Sequence, residues 1–333
     1  MALNKSTLGL DTTSSDAIRS LFERQLLKRG LIQMVHGVMA RKDTLGAMMG
    51  DTKIYRRFEA LPLPTGPLTE GVNPGSRSKT RTDVKVTIMP YGDVIEDTSF
   101  YVHTQPEKVI AENVKLLGQQ MGEYIDTLDR DNLANATSIV YRNGSATASV
   151  VDIINANTLE RALRTLRNNR AMLTTPKIMP SQNQNTFPLG EGYWAVTHED
   201  VIFDLYNVTG FRRPDEYGMP VGVMKGEAGM YKTGLRFLRS PQGFVALGAG
   251  AASTTVKNTA GNADVYSIFC MGEEAVVNLR LDKGNGGVIT HAFGTSGVYD
   301  PLDLRMTTGW YKLYGTGILN ALFFVEIQTA ASL

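Results

Sequence analysis

One cysteine, two tryptophans and four histidines in 333 residues leave little of the material from which most reactive sites are built. The lone thiol of Cys270 excludes an internal disulfide and any cysteine cluster for a metal, which fits a reducing compartment. It flanks an apolar run, so a buried and inert thiol is expected. An excess of either charge is lacking as well, since 34 basic residues against 33 acidic leave a formal charge of +1. That balance argues against a protein that lives by gripping phosphate backbones, and suits one that lies beside nucleic acid without holding it. There is no run of about 18 apolar residues. Residues 1–16 are polar and Ser/Thr-rich rather than a signal peptide. A soluble chain, cytoplasmic when made and with no membrane partner, is therefore expected. Asn143-Gly144-Ser145 and Asn207-Val208-Thr209 then match the glycosylation pattern by chance.

Motifs of chemistry are missing too. No HExxH, CxxC pair, Walker A or G-x-S-x-G occurs. Gly248-Ala249-Gly250-Ala251-Ala252-Ser253 follows Phe244-Val245-Ala246-Leu247 as a dinucleotide loop would, but Thr254, Thr255, Val256 and Asn258 are poor openers for the required helix, so a surface loop is expected. His198-Glu199-Asp200 sets three metal-ligand types side by side, where adjacent residues project apart; His198 reads as a strand-end or capping histidine. His36, His103 and His291 have no carboxylate or serine at a catalytic spacing. No catalytic residue, metal ligand or cofactor is expected.

What the chain does have is one long, cleanly periodic stretch. From Pro106 to Asn132, Val109, Ile110, Val114, Leu117, Met121, Ile125 and Leu128 recur at steps of three and four, an apolar stripe on a helix of roughly 40 Å. Pro106 suits its first position. Gly118 and Gly122 either mark a close crossing by another segment or are tolerated surface glycines. Ahead of it, Ile18, Leu21, Phe22 and Leu26 predict a short amphipathic helix ending at Gly30. Residues 31–50 show no clear period. From Ala60 to Thr82 the chain carries Pro62, Pro64, Pro67 and Pro74 with Gly66, Gly71 and Gly75, which excludes helix or central strand. Val84, Val86 and Ile88 alternate with polar neighbours and can return antiparallel to Lys53–Phe58, making one long hairpin-like excursion. Leu61, Leu63, Leu68 and Val72 offer apolar surface that a linker would lack, so the loop is expected to order on a neighbouring molecule.

At 333 residues two lobes are expected, and a boundary fits near Asn135. Asn143-Gly144 predicts a turn. Asn157 with Glu160 predicts a capping box opening a helix with Leu159, Ala162, Leu163 and Leu166 inward. Arg161, Arg164, Arg167 and Arg170 on its other side are a solvated face or a surface for phosphate or an acidic neighbour. Tyr193–Val196 and Val201-Ile202-Phe203 read as strands, as does the closing run Gly317–Ile327, expected to pack on the long helix. The fold class is α+β.

Several stretches, in order, resemble one family. Leu61-Pro62-Leu63-Pro64, Pro67-Leu68-Thr69-Glu70-Gly71-Val72-Asn73-Pro74 and Tyr91-Gly92 are followed by Trp194-Ala195-Val196-Thr197-His198-Glu199-Asp200 and Lys225-Gly226-Glu227-Ala228-Gly229. Gly234-Leu235-Arg236-Phe237, Asp300-Pro301-Leu302 and Gly309-Trp310 complete the series. The sequence resembles the major capsid proteins of tailed DNA phages with the Hong Kong 97-like fold, in the branch typified by the N4-like phages. It departs from the pattern at Tyr311 and across residues 1–50.

The resemblance implies an N-terminal arm at 1–52, an extended loop at 53–100, a peripheral domain with the long spine helix at 101–135 and 309–333, and an axial domain at 136–308. It implies a structural subunit, not an enzyme, that self-assembles into the pentamers and hexamers of an icosahedral shell around double-stranded DNA. The shell would be a virion capsid assembled in the bacterial cytoplasm, with scaffold, portal and decoration proteins as further partners. Leu63, Leu68, Glu70, Val72, Pro74 and Arg77 are the expected subunit-interface residues. A non-viral, encapsulin-like nanocompartment is the alternative within the fold, and a soluble hydrolase or binding protein the alternative outside it.

Overall fold

The computed structural model describes residues 34–333 apart from 47, 60, 65, 68–69, 72–74, 105–108, 175–190, 218–225, 233, 283–285, 292, 294–299 and 303. The expected helix before Gly30 and the start at Pro106 lie outside the described residues. The apolar stripe forms a helix over Val109–Leu133, preceded by a short one at Ser99–Thr104; these are α2 and α1. Val114, Leu117, Met121 and Ile125 are buried against Val288, Trp310 and Tyr314. Each such side chain contributes roughly 1.5–3 kcal/mol by leaving water. Gly118 and Gly122 are buried as well, so they are not surface glycines.

The strands, numbered in chain order, are β1 (Arg41–Leu45), β2 (Thr52–Phe58), β3 (Arg81–Thr87), β4 (Met89–Thr98), β5 (Ile139–Tyr141), β6 (Tyr193–His198), β7 (Phe211–Arg212), β8 (Glu227–Tyr231) and β9 (Leu235–Ser240). They continue as β10 (Val245–Ala246), β11 (Asn258–Thr259), β12 (Asn262–Ala263), β13 (Val265–Met271), β14 (Val276–Leu281), β15 (Gly286–His291), β16 (Arg305–Ile318) and β17 (Phe324–Thr329).

Under α2 lies a five-stranded sheet in the order β1-β14-β16-β15, with β4 also paired to the long β16. Its first strand comes from the stretch without a sequence period: β1 runs parallel to β14, from Arg41 opposite Val277 to Leu45 opposite Leu281. The second sheet has eight strands in the order β5-β17-β13-β6-β9-β8-β7, with β10 on β13. Its central strands are buried on both faces, which is why Val265–Met271 and Phe324–Thr329 show no alternation. One face packs on α3 (Ala156–Asn168) and α4 (Glu199–Tyr206) through Leu159, Leu166, Val201, Ile202 and Leu205. The other packs Trp194, Val196, Phe269 and Phe324 on Leu133 of α2, Ala40 and Val276, joining the two layers.

Three expectations are corrected. Val201-Ile202-Phe203 is helical, because His198 caps the turn by accepting the Asp200 N–H at 3.1 Å, and Val201, Ile202 and Leu205 then share one buried face. The cap of α3 is Asn155, which accepts the Thr158 N–H at 3.0 Å, while Glu160 accepts from Tyr231 and Lys232. The closing run is not one strand: the Asn320 side chain accepts the Leu322 N–H and opens a turn. Trp310 and Tyr314 of β16 pack on the middle of α2, whereas β17 pairs with β13 and β5 in the eight-stranded sheet and meets the helix through Phe324 and Leu133. No described helix is long and apolar enough to cross a membrane.

Candidate functional site

Among the described residues no group of three His, Cys, Asp or Glu is placed to hold a metal. Cys270 is buried, and burial pushes its thiol up to about 12, which keeps it protonated and inert as expected. His198 caps a helix, and His103 stacks on Phe293 with ring centroids 6.1 Å apart. Arg161, Arg164 and Arg167 are exposed along α3, and Arg170 is exposed just past its end.

The feature that stands apart is the hairpin β2–β3. Its ladder runs from Thr52 opposite Thr87 to Phe58 opposite Arg81, as the alternation predicts. The base is fixed in its own chain. Tyr55 donates its phenol to Asp43 Oδ2 at 2.8 Å and Lys53 Nζ stands 2.7 Å from the same oxygen, tying the hairpin to β1. Burial raises the Asp43 carboxyl, but the bonds from Lys53 and Tyr55 outweigh it and hold the group below its ordinary value. Behind the base, Gly315 and Gly317 let β16 pass against it: a Cβ on Gly315 would come 2.5 Å from the Thr87 carbonyl.

Beyond the base the packing stops. Phe58 and Leu61 are exposed, and Leu63 is 86% exposed. The Glu59 N–H donates to Thr80 O at 3.1 Å, and the Arg77 guanidinium donates to Pro62 O at 2.6 Å and Leu63 O at 3.3 Å. The loop is thus closed across its neck by its own arginine. Glu70 sits exposed at a turn, followed by Gly71 at φ +79, a left-handed conformation that favours glycine. Of the six expected interface residues, the structure brings Leu63 and Arg77 together and leaves Glu70 in solvent; Leu68, Val72 and Pro74 lie outside the described residues.

No protein-family model matches the sequence, and no curated protein does. Solved structures do match. A chain from the capsid of Ralstonia phage GP4 aligns at TM-score 0.61 and 11% identity, over 90% of this chain and 89% of that one. A chain of the cyanophage Pam1 capsid asymmetric unit aligns at TM-score 0.59 and 16% identity, over 92% and 93%. The acid-stable capsid of Helicobacter pylori bacteriophage KHP30 gives TM-score 0.59 and 11% identity, over 87% of both chains. This chain has their fold. The likeness covers about nine-tenths of the chain.

Sequence reasoning missed two buried polar groups of this fold. His36 lies against Asp126, and Arg236 lies over Trp194. For the first a signal was available, since Asp126 and Asp129 extend the apolar side of α2 at the spacing of Gly122 and Ile125. For Arg236 there was none beyond its place among the apolar residues of β9.

Proposed function

We propose that this chain is the shell subunit of a tailed-phage capsid with the Hong Kong 97-like fold, self-assembling into pentamers and hexamers that close around double-stranded DNA. The observation that carries the reading is the hairpin whose base is anchored in its own chain while its apolar tip packs on nothing described. A neighbouring copy is the natural cover, because head-to-tail contacts around an axis close into rings. The fold shared with phage capsid chains supports it. In this reading residues 1–52 are the N-terminal arm and 53–100 the extended loop. The peripheral domain takes 101–135 and 309–333, and the axial domain 136–308. Strand pairing qualifies these limits: β1, β14 and β15 lie in the sheet under α2, and β17 lies in the other. Scaffold, portal and decoration proteins are further partners, the particle is the virion, and assembly takes place in the host cytoplasm. Electron microscopy of purified chain, with any scaffold supplied, should show closed hollow shells. Only monomers or dimers in analytical ultracentrifugation under the same conditions would overturn the reading.

Leu63, Leu68, Glu70, Val72, Pro74 and Arg77 are the proposed contact residues. The prolines and the Arg77 closure restrict the unbound loop, so less entropy is lost on docking. Glu70 would need a basic or hydrogen-bonding partner from the neighbour to offset its desolvation. Glu70→Lys should therefore leave the subunit within about 0.5 kcal/mol of wild-type stability and sharply lower shell yield. Normal stability together with normal yield would remove Glu70 from the interface.

A further inference from the structure

Residues 34–37 cross α2 near its C-terminal end, and what they meet there is polar. Asp126 accepts the backbone N–H of Val35 at 2.6 Å and of His36 at 2.7 Å on one oxygen, and its other oxygen lies 2.7 Å from His36 Nδ1. One turn on, Asp129 accepts the Tyr314 phenol on both oxygens, at 2.8 and 2.9 Å. The Asn278 amide donates to Asp129 Oδ2 and to Gly37 O, both at 3.3 Å. Gly37 lies directly on this carboxylate: a Cβ there would come 2.1 Å from Asp129 Oδ2. His36, Asp126, Asp129, Asn278 and Tyr314 are buried, and His36 Nε2 has no hydrogen-bond partner.

Two carboxylates at positions i and i+3 of a helix are neighbours, and in a buried setting they cannot both ionise without strong repulsion. Two of the donors on Asp126 are backbone N–H groups that cannot accept, whereas Asp129 meets the Tyr314 hydroxyl, which can accept a hydrogen bond from a protonated carboxyl as well as give one to the anion. Burial pushes the Asp129 carboxyl up to about 7, with Tyr314 opposing and the Asp126 charge adding to the shift. The charged and titratable groups that face it are Asp126 from α2, His36 from the N-terminal segment, and Lys312 and Tyr314 from β16, on both of which Arg280 from β14 acts in turn. Burial lowers the Lys312 ammonium and Asp129 opposes that shift; burial and Asp129 keep Tyr314 a phenol.

We propose that this cluster is a titratable clasp on residues 34–45, which holds the segment and the β1 edge of the sheet most tightly in mild acid and loosens its hold as the pH rises to neutrality. When the segment lifts, Asp129 reaches water and returns to the ordinary aspartate range. The closed state therefore binds more protons than the open one between that range and about 7, and closure weakens with rising pH across that window. Above it both states are ionised and the dependence flattens. The clasp does not depend on shell assembly, so soluble subunits of the full chain suffice to test it.

Hydrogen exchange of amides 35–45, corrected for intrinsic rates, should show about tenfold stronger protection at pH 6 than at pH 8, the ratio for one linked proton. Asp129→Asn should retain the bonds to Tyr314 and Asn278 and give equal protection at both pH values. Tyr314→Phe, which removes the bond favouring the ionised form, should move the midpoint to higher pH. Equal protection of the wild type at both pH values would overturn the clasp. So would an unchanged pH dependence in Asp129→Asn or, should that variant fail to fold, an unmoved midpoint in Tyr314→Phe.

Discussion

Trp310→Ala should lower the unfolding free energy of the subunit by about 3–5 kcal/mol, the range for truncating a large aromatic in a core that cannot collapse. The indole is 4% exposed and fills the space between α2 and the middle of β16, among Val114, Leu117, Met121 and Ile125. Its Nε1 donates to Gln120 Oε1 at 3.2 Å, so the substitution also deletes a bond between helix and sheet. Relaxation into the cavity is blocked from both sides. β16 is held at this point by Asp93 of β4 and Val288 of β15. The strands are already as close as backbone allows, since a Cβ on Gly92 would come 2.6 Å from the Trp310 carbonyl. Urea denaturation should show a lower midpoint at unchanged slope, because the surface exposed on unfolding hardly changes. Trp310→Phe should recover more than half of the loss. A loss below about 1 kcal/mol for the alanine variant would mean that the indole does not fasten the helix to the sheet.

The parts of this fold legible in the sequence are those in which one local pattern had one physical reading. The α2 stripe could only be a half-buried helix, and the alternation at Val84, Val86 and Ile88 could only be a strand with one covered face. His198 was readable as a cap, but the three apolar residues after it satisfied helix and strand alike. The capping bond to Asp200, not the pattern, decides between them. The run Gly317–Ile327 failed for a different reason. Gly317 and Ile318 end a strand of one sheet at half-burial, Phe324–Ile327 lie buried in the other, and hydropathy carries no record of which sheet a residue joins. Residues 34–45 showed no period because their order comes from partners far away in the chain: Asp126 for His36 and β14 for β1. The candidate assembly surface was legible at Leu63 and Arg77 as a proline-restricted loop with apolar side chains. That Arg77 closes the loop on itself required the carbonyls of Pro62 and Leu63 in space. The expectation of a shell came from the family resemblance, and composition alone would have supported only a chain without a reactive site.

Replacing the most deeply buried cation among the described residues should strengthen the fold. Arg236 is 0% exposed in the middle of the eight-stranded sheet, between Trp194 on β6 and Met230 on β8. Its guanidinium carbon lies 5.7 Å from the Trp194 ring, and Nε, Nη1 and Nη2 have no hydrogen-bond partner. An arginine cannot shed its proton to escape burial. The effective desolvation penalty of a buried ion is several kcal/mol, and a desolvated cation–π contact returns about 2. Methionine is unbranched, reaches a similar depth and carries no charge. Arg236→Met should therefore raise stability by about 1–4 kcal/mol, the range seen when buried ions give way to apolar side chains of similar volume. Arg236→Lys keeps the charge with fewer contacts to the indole and should give no gain. If the arginine is retained for the proposed assembly, the methionine variant should be more stable in urea yet close into fewer of the proposed shells. A methionine subunit destabilised by about 2 kcal/mol or more would mean that the guanidinium is compensated within the fold, and that its contact with Trp194 is worth more than its loss of water.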